Sequence, residues 1–446
     1  MKTDIKILDV ALSSEKYDYR TPIKFGGRVG TGTTILNAIV HVRDKLGGSA
    51  GGTGSMTMGT NWSWPDPEVP MDVKYSTLLT IAGRVARQLD QIEPGHPMEI
   101  GEEINRIGMQ VIARLQAELK LSRPIPKMAM MVAVSPLDAA VHDAYGRLLG
   151  RSVYNCYSAE YIKKDLSHYL DDRFKGEFLD RYTRRTPVRQ LPLYHLVGAL
   201  DPLTPAEVVN PVGDEYPESL DEWIRRDGLT HLKIKLNGED LDWDIGRVVA
   251  VDRVATLTNP EIKWRYSLDF NEKCRDVGYL LSCLEGVRRQ SEAAFDRIQY
   301  IEQPTDRDLF GPQAFAMHEV AAIKPVVIDE SLTDYATLLR ARELGYSGVA
   351  LKACKGQTES LLMAAAAQKF GMFLCVQDLT CPGRAFAWSA GLAAHIPGVA
   401  AVEGNARQFV PAANKVWQEK LPELFTVKNG CIDTSVLRHP GLGYGE

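Results

Sequence analysis

The sequence predicts an α/β chain with a (β/α) barrel in its second half, behind an α+β N-terminal unit. Three observations carry that prediction. Apolar runs rich in β-branched and aromatic residues recur as HLKIKL, WRYSLDFN, RIQYIEQP, PVVIDES and GVALKACK, each short enough for a buried parallel strand. Each run brings a charged residue to its end: Lys235 (with Lys233 two before it), Asp269, Glu302, Asp329 and Lys352. Counted from Lys235, these positions are 34, 33, 27 and 23 residues apart, room for one helix and two loops each.

From the N-terminus, IKILDVAL, TPIKFGG and TTILNAIVHVRD read as strands punctuated by Gly-Gly and Thr-Gly turns. The glycines of the following GGSAGGTGSMTMGTNWSWPDPEVP predict a mobile loop. Its Met56, Met58, Trp62 and Trp64 are unusually apolar for a linker and suit a lid over a pocket. Helical periodicity then covers 75–90, 102–120 and 135–149, the last with Ser135 as N-cap and Pro136 at the first helical position.

Residues 151–190 are charged and tyrosine-rich. AEYIKKDLSHYLDDRFKGEFLDRYTRR reads as an inserted surface helix and a candidate contact in a homo-oligomer. From Leu191, LPLYHLVGA, the five motif strands, MFLCVQDL and VAAVEGN make eight strands. The tail has a hairpin signal at Asn429-Gly430 and is expected to fold back on the N-terminal unit. The expected division is 1–150, 151–190, 191–410 and 411–446.

At 446 residues two domains are the economical count, and 45% hydrophobic with 24% charged residues is a globular composition. A net charge of −5 without basic runs gives no nucleic-acid footprint. MKTDIKILDV lacks a signal-peptide apolar region and no stretch approaches 18 uncharged apolar residues, so no membrane association and a cytoplasmic location are expected. Seven scattered cysteines without CxxC or zinc spacing read as reduced thiols.

Barrel active sites lie at the C-terminal ends of the strands, where Asp269, Glu302 and Asp329 fall. Three carboxylates at close range need a cation to stay ionised. Oxygen-only ligation points to Mg²⁺, with Mn²⁺ the competitor. Lys233 and Lys235 share one strand face. Their mutual repulsion is expected to depress the pKa of one of them and make it a general base. Lys352, four strands on, lies across the barrel mouth.

KxK, Asp269 with Asn271, Glu302 in IEQP, Asp329 in IDES and Lys352 in LKACK together resemble the enolase superfamily, muconate lactonizing enzyme (mandelate racemase/muconate lactonizing enzyme) subgroup. SPLDAAVHDAYGRLLG and HPGLG are similar to the last helix of that family's N-terminal capping domain and to the C-terminal return to it. The resemblance implies a modified TIM (β/α) barrel with an α+β capping domain whose specificity loops lie near 20–30 and 47–66. It also implies a Mg²⁺-dependent enzyme that abstracts the α-proton of a small carboxylate through an enediolate. Lys235 and Lys352 would then be the acid/base pair, with Lys233 tuning Lys235. Asp269, Glu302 and Asp329 would hold the metal, and alternation would turn Glu330 away from it.

Asn271, Glu330, Asp378, Glu403, Trp62 and Trp64 are the candidates for contacts with substrate or with the residues that meet it. The pattern departs from the family in three places. Lys355-Gly356-Gln357-Thr358 replaces the common Gly-Gly. VEGNAR, with Glu403, lacks the Asp-x-Asp of dipeptide epimerases. CVQDLTCPG offers Asp378 where mandelate racemase-like members have histidine, although His195 could still reach substrate. Racemase, epimerase or cycloisomerase chemistry leads. An acid-sugar or hydroxy-acid dehydratase is the alternative, and a Schiff-base aldolase or a non-catalytic homologue is more distant.

Overall fold

The computed structural model describes residues 1–25 and 28–445. The predicted Gly26-Gly27 turn lies outside the described residues. IKILDVAL and TPIKF belong to one strand, β1 (Ile5–Phe25), antiparallel to β2 (Arg28–Asp44), with a register irregularity between Asp18 and Ile23. β3 (Ser49–Thr57) adds to β2.

β3 corrects the reading of 47–66 as a mobile loop. A β-carbon at Gly52 would collide with the backbone nitrogen of Ala144, and one at Gly54 with the carbonyl oxygen of Pro136. These glycines let the strand lie directly on a helix. After β3 a single turn, α1 (Thr60–Ser63), buries Trp62 and leads into the buried Trp64.

Helices α2 (Met71–Ala86), α3 (Pro97–Leu119) and α4 (Lys127–Leu148) begin earlier than periodicity indicated. Ser135-Pro136 is therefore an interior step of α4 and not its cap. Proline brings no N–H to the Val132 carbonyl, and the Ser135 hydroxyl donates to that carbonyl instead, at 3.0 Å. α4 is almost wholly buried, so packing overrides the local proline signal.

Residues 151–190 form no long helix. They hold single turns at Val153–Asn155, Leu166–Tyr169, Asp172–Phe174 and Leu179–Arg181. Tyr154, Tyr157, Phe174 and Leu179 are buried at irregular intervals, a pattern no single helix face can satisfy.

The barrel strands are β4 (Gln190–Val197), β5 (His231–Lys235), β6 (Arg265–Asp269), β7 (Ile298–Glu302), β8 (Val326–Ile328), β9 (Gly348–Leu351), β10 (Phe373–Val376) and β11 (Val399–Glu403). All pair in parallel, and β11 closes on β4. Helices between them include α5 (Leu220–Asp227), α6 (Leu241–Thr258), α7 (Val277–Gln290), α8 (Tyr335–Glu343), α9 (Gln357–Lys369) and α10 (Gly383–His395).

Tyr194, Tyr300, Val327, Ala350, Cys375 and Ala401 form one buried cluster contributed by six of the barrel strands. β12 (Cys431–Asp433) pairs antiparallel with β4 after a turn in which Asn429 and Gly430 both have positive φ. Farther along the tail, Leu442 N–H donates to Asp143 and Tyr444 hydroxyl to the Thr53 carbonyl, so this segment rests on α4 and β3. Among the described residues no helix is long and apolar enough to cross a membrane.

Candidate active site

Parallel pairing aligns Lys235 with Asp269 and Asp269 with Glu302 at the C-terminal ends of β5, β6 and β7. The two lysines of KxK do share a face, because both ammonium groups reach the same oxygen of Asp269. Lys233 Nζ also donates to Glu302 at 2.7 Å, Gln377 at 3.1 Å and Glu403 at 3.2 Å. Lys235 Nζ donates to Asn271 Oδ1 at 3.0 Å.

Across the mouth, Lys352 Nζ lies 2.7 Å from Asp329 Oδ2, and its ammonium sits 4.2 Å from the centroid of the Trp62 ring. Lys355, one tight turn farther, reaches the other Asp329 oxygen at 3.3 Å and the Asp329 carbonyl at 2.6 Å. Gln303 Oε1 accepts from the backbone N–H groups of Asp329 and Ser331, which fixes the end of β8.

All these charged groups are buried. Burial raises Glu302 to about 8, helped by Asp269 and Asp329 and opposed by Lys233. Burial, with Asp329, Glu272 and Asp269 as neighbouring charges, likewise raises Glu330 to about 8. Burial works against ionised Asp269 and Asp329 too, but the adjacent lysines hold both below the usual carboxylate range.

The expectation that lysine repulsion depresses a pKa in the KxK pair fails for Lys233. Burial disfavours its charge, yet Glu302, Glu403 and Asp269 together drive its pKa upward. Asp329 does the same for Lys352. In Lys355, which the sequence reading treated only as a departure from Gly-Gly, burial outweighs the pull of Asp329 and the pKa falls.

Glu330 is not turned away. β8 ends at Ile328, so alternation no longer governs residue 330. Its Oε1 accepts from Trp62 Nε1 at 3.0 Å and Asn271 Nδ2 at 3.4 Å, and its buried Oε2 has no hydrogen-bond partner among the described residues.

Asp378 ties loops together, accepting from the N–H groups of Leu379, Cys381 and Asn405. Glu403 accepts from Lys233 and from Asp378 N–H. Trp64 is buried in the main hydrophobic core, which runs through both the N-terminal unit and the barrel. His195 is buried against Trp223, Arg407 and Gln408, apart from the lysines and acids. Beyond Lys355, the sequence reading missed Gln303, Gln377 and Arg307, uncharged or loop residues that carry no strand-end charge signal.

The donors are suited to a hard divalent cation. They are carboxylate oxygens, and the buried thiols of Cys354 and Cys375 are pushed up to about 12 and stay protonated. Five buried acids, Asp269, Glu302, Asp329, Glu330 and Glu403, face four buried lysines. One buried oxygen of Glu330 has no hydrogen-bond partner among the described residues and is open to a cation. Among the described residues, however, no three acidic, histidine or cysteine side chains converge on a common ligation point. The acids are turned to the lysines instead. A pocket of only about 30 Å³ opens beside Lys235, lined by Lys24, Asn237, Phe270 and Lys273 among others.

No curated protein matches the chain by sequence. Its architecture is similar to solved structures over nearly its whole length. L-Ala-D/L-Glu epimerase from Bacillus subtilis aligns with 18% identity and a TM-score of 0.62, covering 98% of each chain. N-succinyl Arg/Lys racemase from Bacillus cereus aligns with 18% identity and a TM-score of 0.65, covering 98% of this chain and 95% of that one. 2-chloromuconate cycloisomerase from Rhodococcus opacus gives 18%, 0.63, and coverage of 98% and 96%. The family model for enolase C-terminal domain-like proteins matches residues 215–445. The chain therefore belongs to the enolase C-terminal domain-like family, within the mandelate racemase/muconate lactonizing enzyme branch of the enolase superfamily.

Proposed function

We propose that this chain is a Mg²⁺-dependent enzyme that removes the proton α to a substrate carboxylate and returns a proton to the same carbon skeleton. The observation that carries the reading is the placement of Lys235 and Lys352. Lys235 is the last residue of β5 and Lys352 the first after β9, half a turn apart around an eight-stranded barrel, with the buried acids between them.

Asp269, Glu302 and Asp329 would hold the cation. When bound, it supplies Lewis-acid stabilisation of the negative charge that develops on the substrate carboxylate. The remaining work belongs to the chain. Lys235, oriented by Asp269 and by Asn271 Oδ1, takes the α-proton as an amine. Lys352, held by Asp329, delivers a proton to the opposite face as an ammonium. Lys233 pairs with Glu302, Asp269 and Glu403 and orients them without itself reaching the substrate. The enclosed site keeps bulk water from competing for the carbanion.

Proton return to the α-carbon gives a racemase or epimerase, and intramolecular addition gives a cycloisomerase. The same residues eliminate water if the substrate carries a β-hydroxyl toward Lys352. The epimerase, racemase and cycloisomerase among the structural neighbours support the first group. The test is deuterium wash-in from D₂O into a panel of carboxylic acids. Lys235→Ala and Lys352→Ala should each abolish turnover while leaving the fold intact. A fully active variant of either kind would overturn the two-lysine reading.

A further inference from the structure

We infer that Trp62 is a positioning residue: a two-sided clamp, supplied by the N-terminal unit, that fixes Lys352 through its ring face and Glu330 through its indole N–H. The inference rests on the proposed roles of Lys235 and Lys352. Of the two roles expected for Trp62, contact with substrate or with the residues that meet it, it takes up the second.

Trp62 is 5% exposed, and its ring faces inward onto charge. Lys352 Nζ lies 4.2 Å from the ring centroid and Lys355 Nζ 5.8 Å, both within cation–π range. Lys352 is thus gripped between the indole and Asp329 Oδ2 at 2.7 Å, which fixes the direction in which its ammonium points.

The indole edge works on the other side of the site. Trp62 Nε1–H donates to Glu330 Oε1 at 3.0 Å. The same oxygen accepts from Asn271 Nδ2 at 3.4 Å, and that orientation leaves Asn271 Oδ1 facing Lys235 at 3.0 Å. One indole therefore touches Lys352 directly and reaches Lys235 through Glu330 and Asn271.

The backbone of the clamp is anchored as well. The Trp62 carbonyl accepts from Arg307 Nη2 at 3.1 Å, and Arg307 is held by Glu272 through Nε at 2.7 Å. Glu272 and Asn271 both have positive φ, so this loop is set in an uncommon backbone shape around the contact.

Two variants separate the two hands. Trp62→Phe keeps an aromatic face and removes the N–H, whereas Trp62→Gln keeps an N–H donor and removes the face. The readout is α-deuterium incorporation from D₂O into each enantiomer separately, with the enantiomer served by each lysine identified by Lys352→Ala and Lys235→Ala. Trp62→Gln should slow the Lys352-dependent enantiomer by about tenfold more than the other. Trp62→Phe should bias the loss toward the Lys235-dependent enantiomer. Equal slowing of both, or none, would reduce Trp62 to ordinary core packing and overturn the clamp.

A second measurement needs no substrate. Lys352→Met should shift the tryptophan emission of the wild-type protein and leave that of the Trp62→Phe protein unchanged. No shift would overturn the contact itself. A shift in a protein that exchanges no carboxylic acid would uphold the clamp and sink the proposed chemistry.

Discussion

Asp269 and Glu302 stand opposite each other in the register of β6 and β7 and share one ammonium group, that of Lys233, at 3.1 and 2.7 Å. Lys233 is therefore the charge that lets two buried acids coexist. Lys233→Met removes it and leaves uncompensated carboxylates inside the barrel. The expected cost is about 3–5 kcal/mol without metal, and less when Mg²⁺ is present. Urea unfolding with Mg²⁺ or EDTA measures both values. A variant as stable as wild type in EDTA would contradict this role.

Mg²⁺ should stabilise the wild-type protein, since a ligand that binds only the native state at 100 times its Kd adds about 2.7 kcal/mol. The rise in Tm should vanish in Asp269→Asn combined with Glu302→Gln. A rise that survives in the double variant would move the ion elsewhere.

Gly54→Ala should destabilise the N-terminal unit by more than about 2 kcal/mol, because the added methyl meets the Pro136 carbonyl, a backbone atom of α4 that cannot step aside. Thermal unfolding reads the effect. Gly47→Ala is the control for glycine loss without collision, since nothing lies within 4 Å of a β-carbon there. Its positive φ adds only local strain.

His96 gives a pH prediction. Its Nδ1 accepts from Met98 N–H at the start of α3, so Nε2–H donates to the Cys156 carbonyl at 3.0 Å. Burial lowers its pKa to about 3 from the usual 6.5. The unfolded chain then binds a proton that the folded one refuses. Stability from this group is complete above pH 6.5 and is lost as pH falls toward 3, by about 1.4 kcal/mol per pH unit. His96→Asn, which can still cap the helix, should flatten that slope by about one proton. An unchanged slope would mean that His96 is protonated in the fold.

These tests also mark where the sequence spoke and where it did not. The barrel was readable because each unit repeats one signal, an apolar run closed by a charge. Lys235, Asp269, Glu302, Asp329 and Lys352 are those charges. Gly52 and Gly54 misled, since a glycine that admits a helix looks like one that frees a loop. Ser135-Pro136 misled because the burial of α4 outweighs one lost hydrogen bond. The 151–190 segment has helix-forming composition, but its buried Tyr154, Tyr157 and Phe174 answer to partners distant in sequence. One such partner is Gln357, whose amide donates to Tyr154 and Tyr157. The clamp at Trp62 joins α1 to a residue 268 positions later, a relation no local pattern carries.

The most direct test of the central claim is α-proton exchange. The protein is incubated in D₂O with Mg²⁺ and a library of carboxylic acids, with and without EDTA, and deuterium uptake and mass change are followed by mass spectrometry. Exchange at an α-carbon should depend on the metal, Lys235→Ala and Lys352→Ala should each abolish turnover, and each variant should keep exchange only with the enantiomer served by the lysine that remains. Exchange that persists in EDTA, or turnover that persists in either lysine variant, would contradict the two-lysine chemistry.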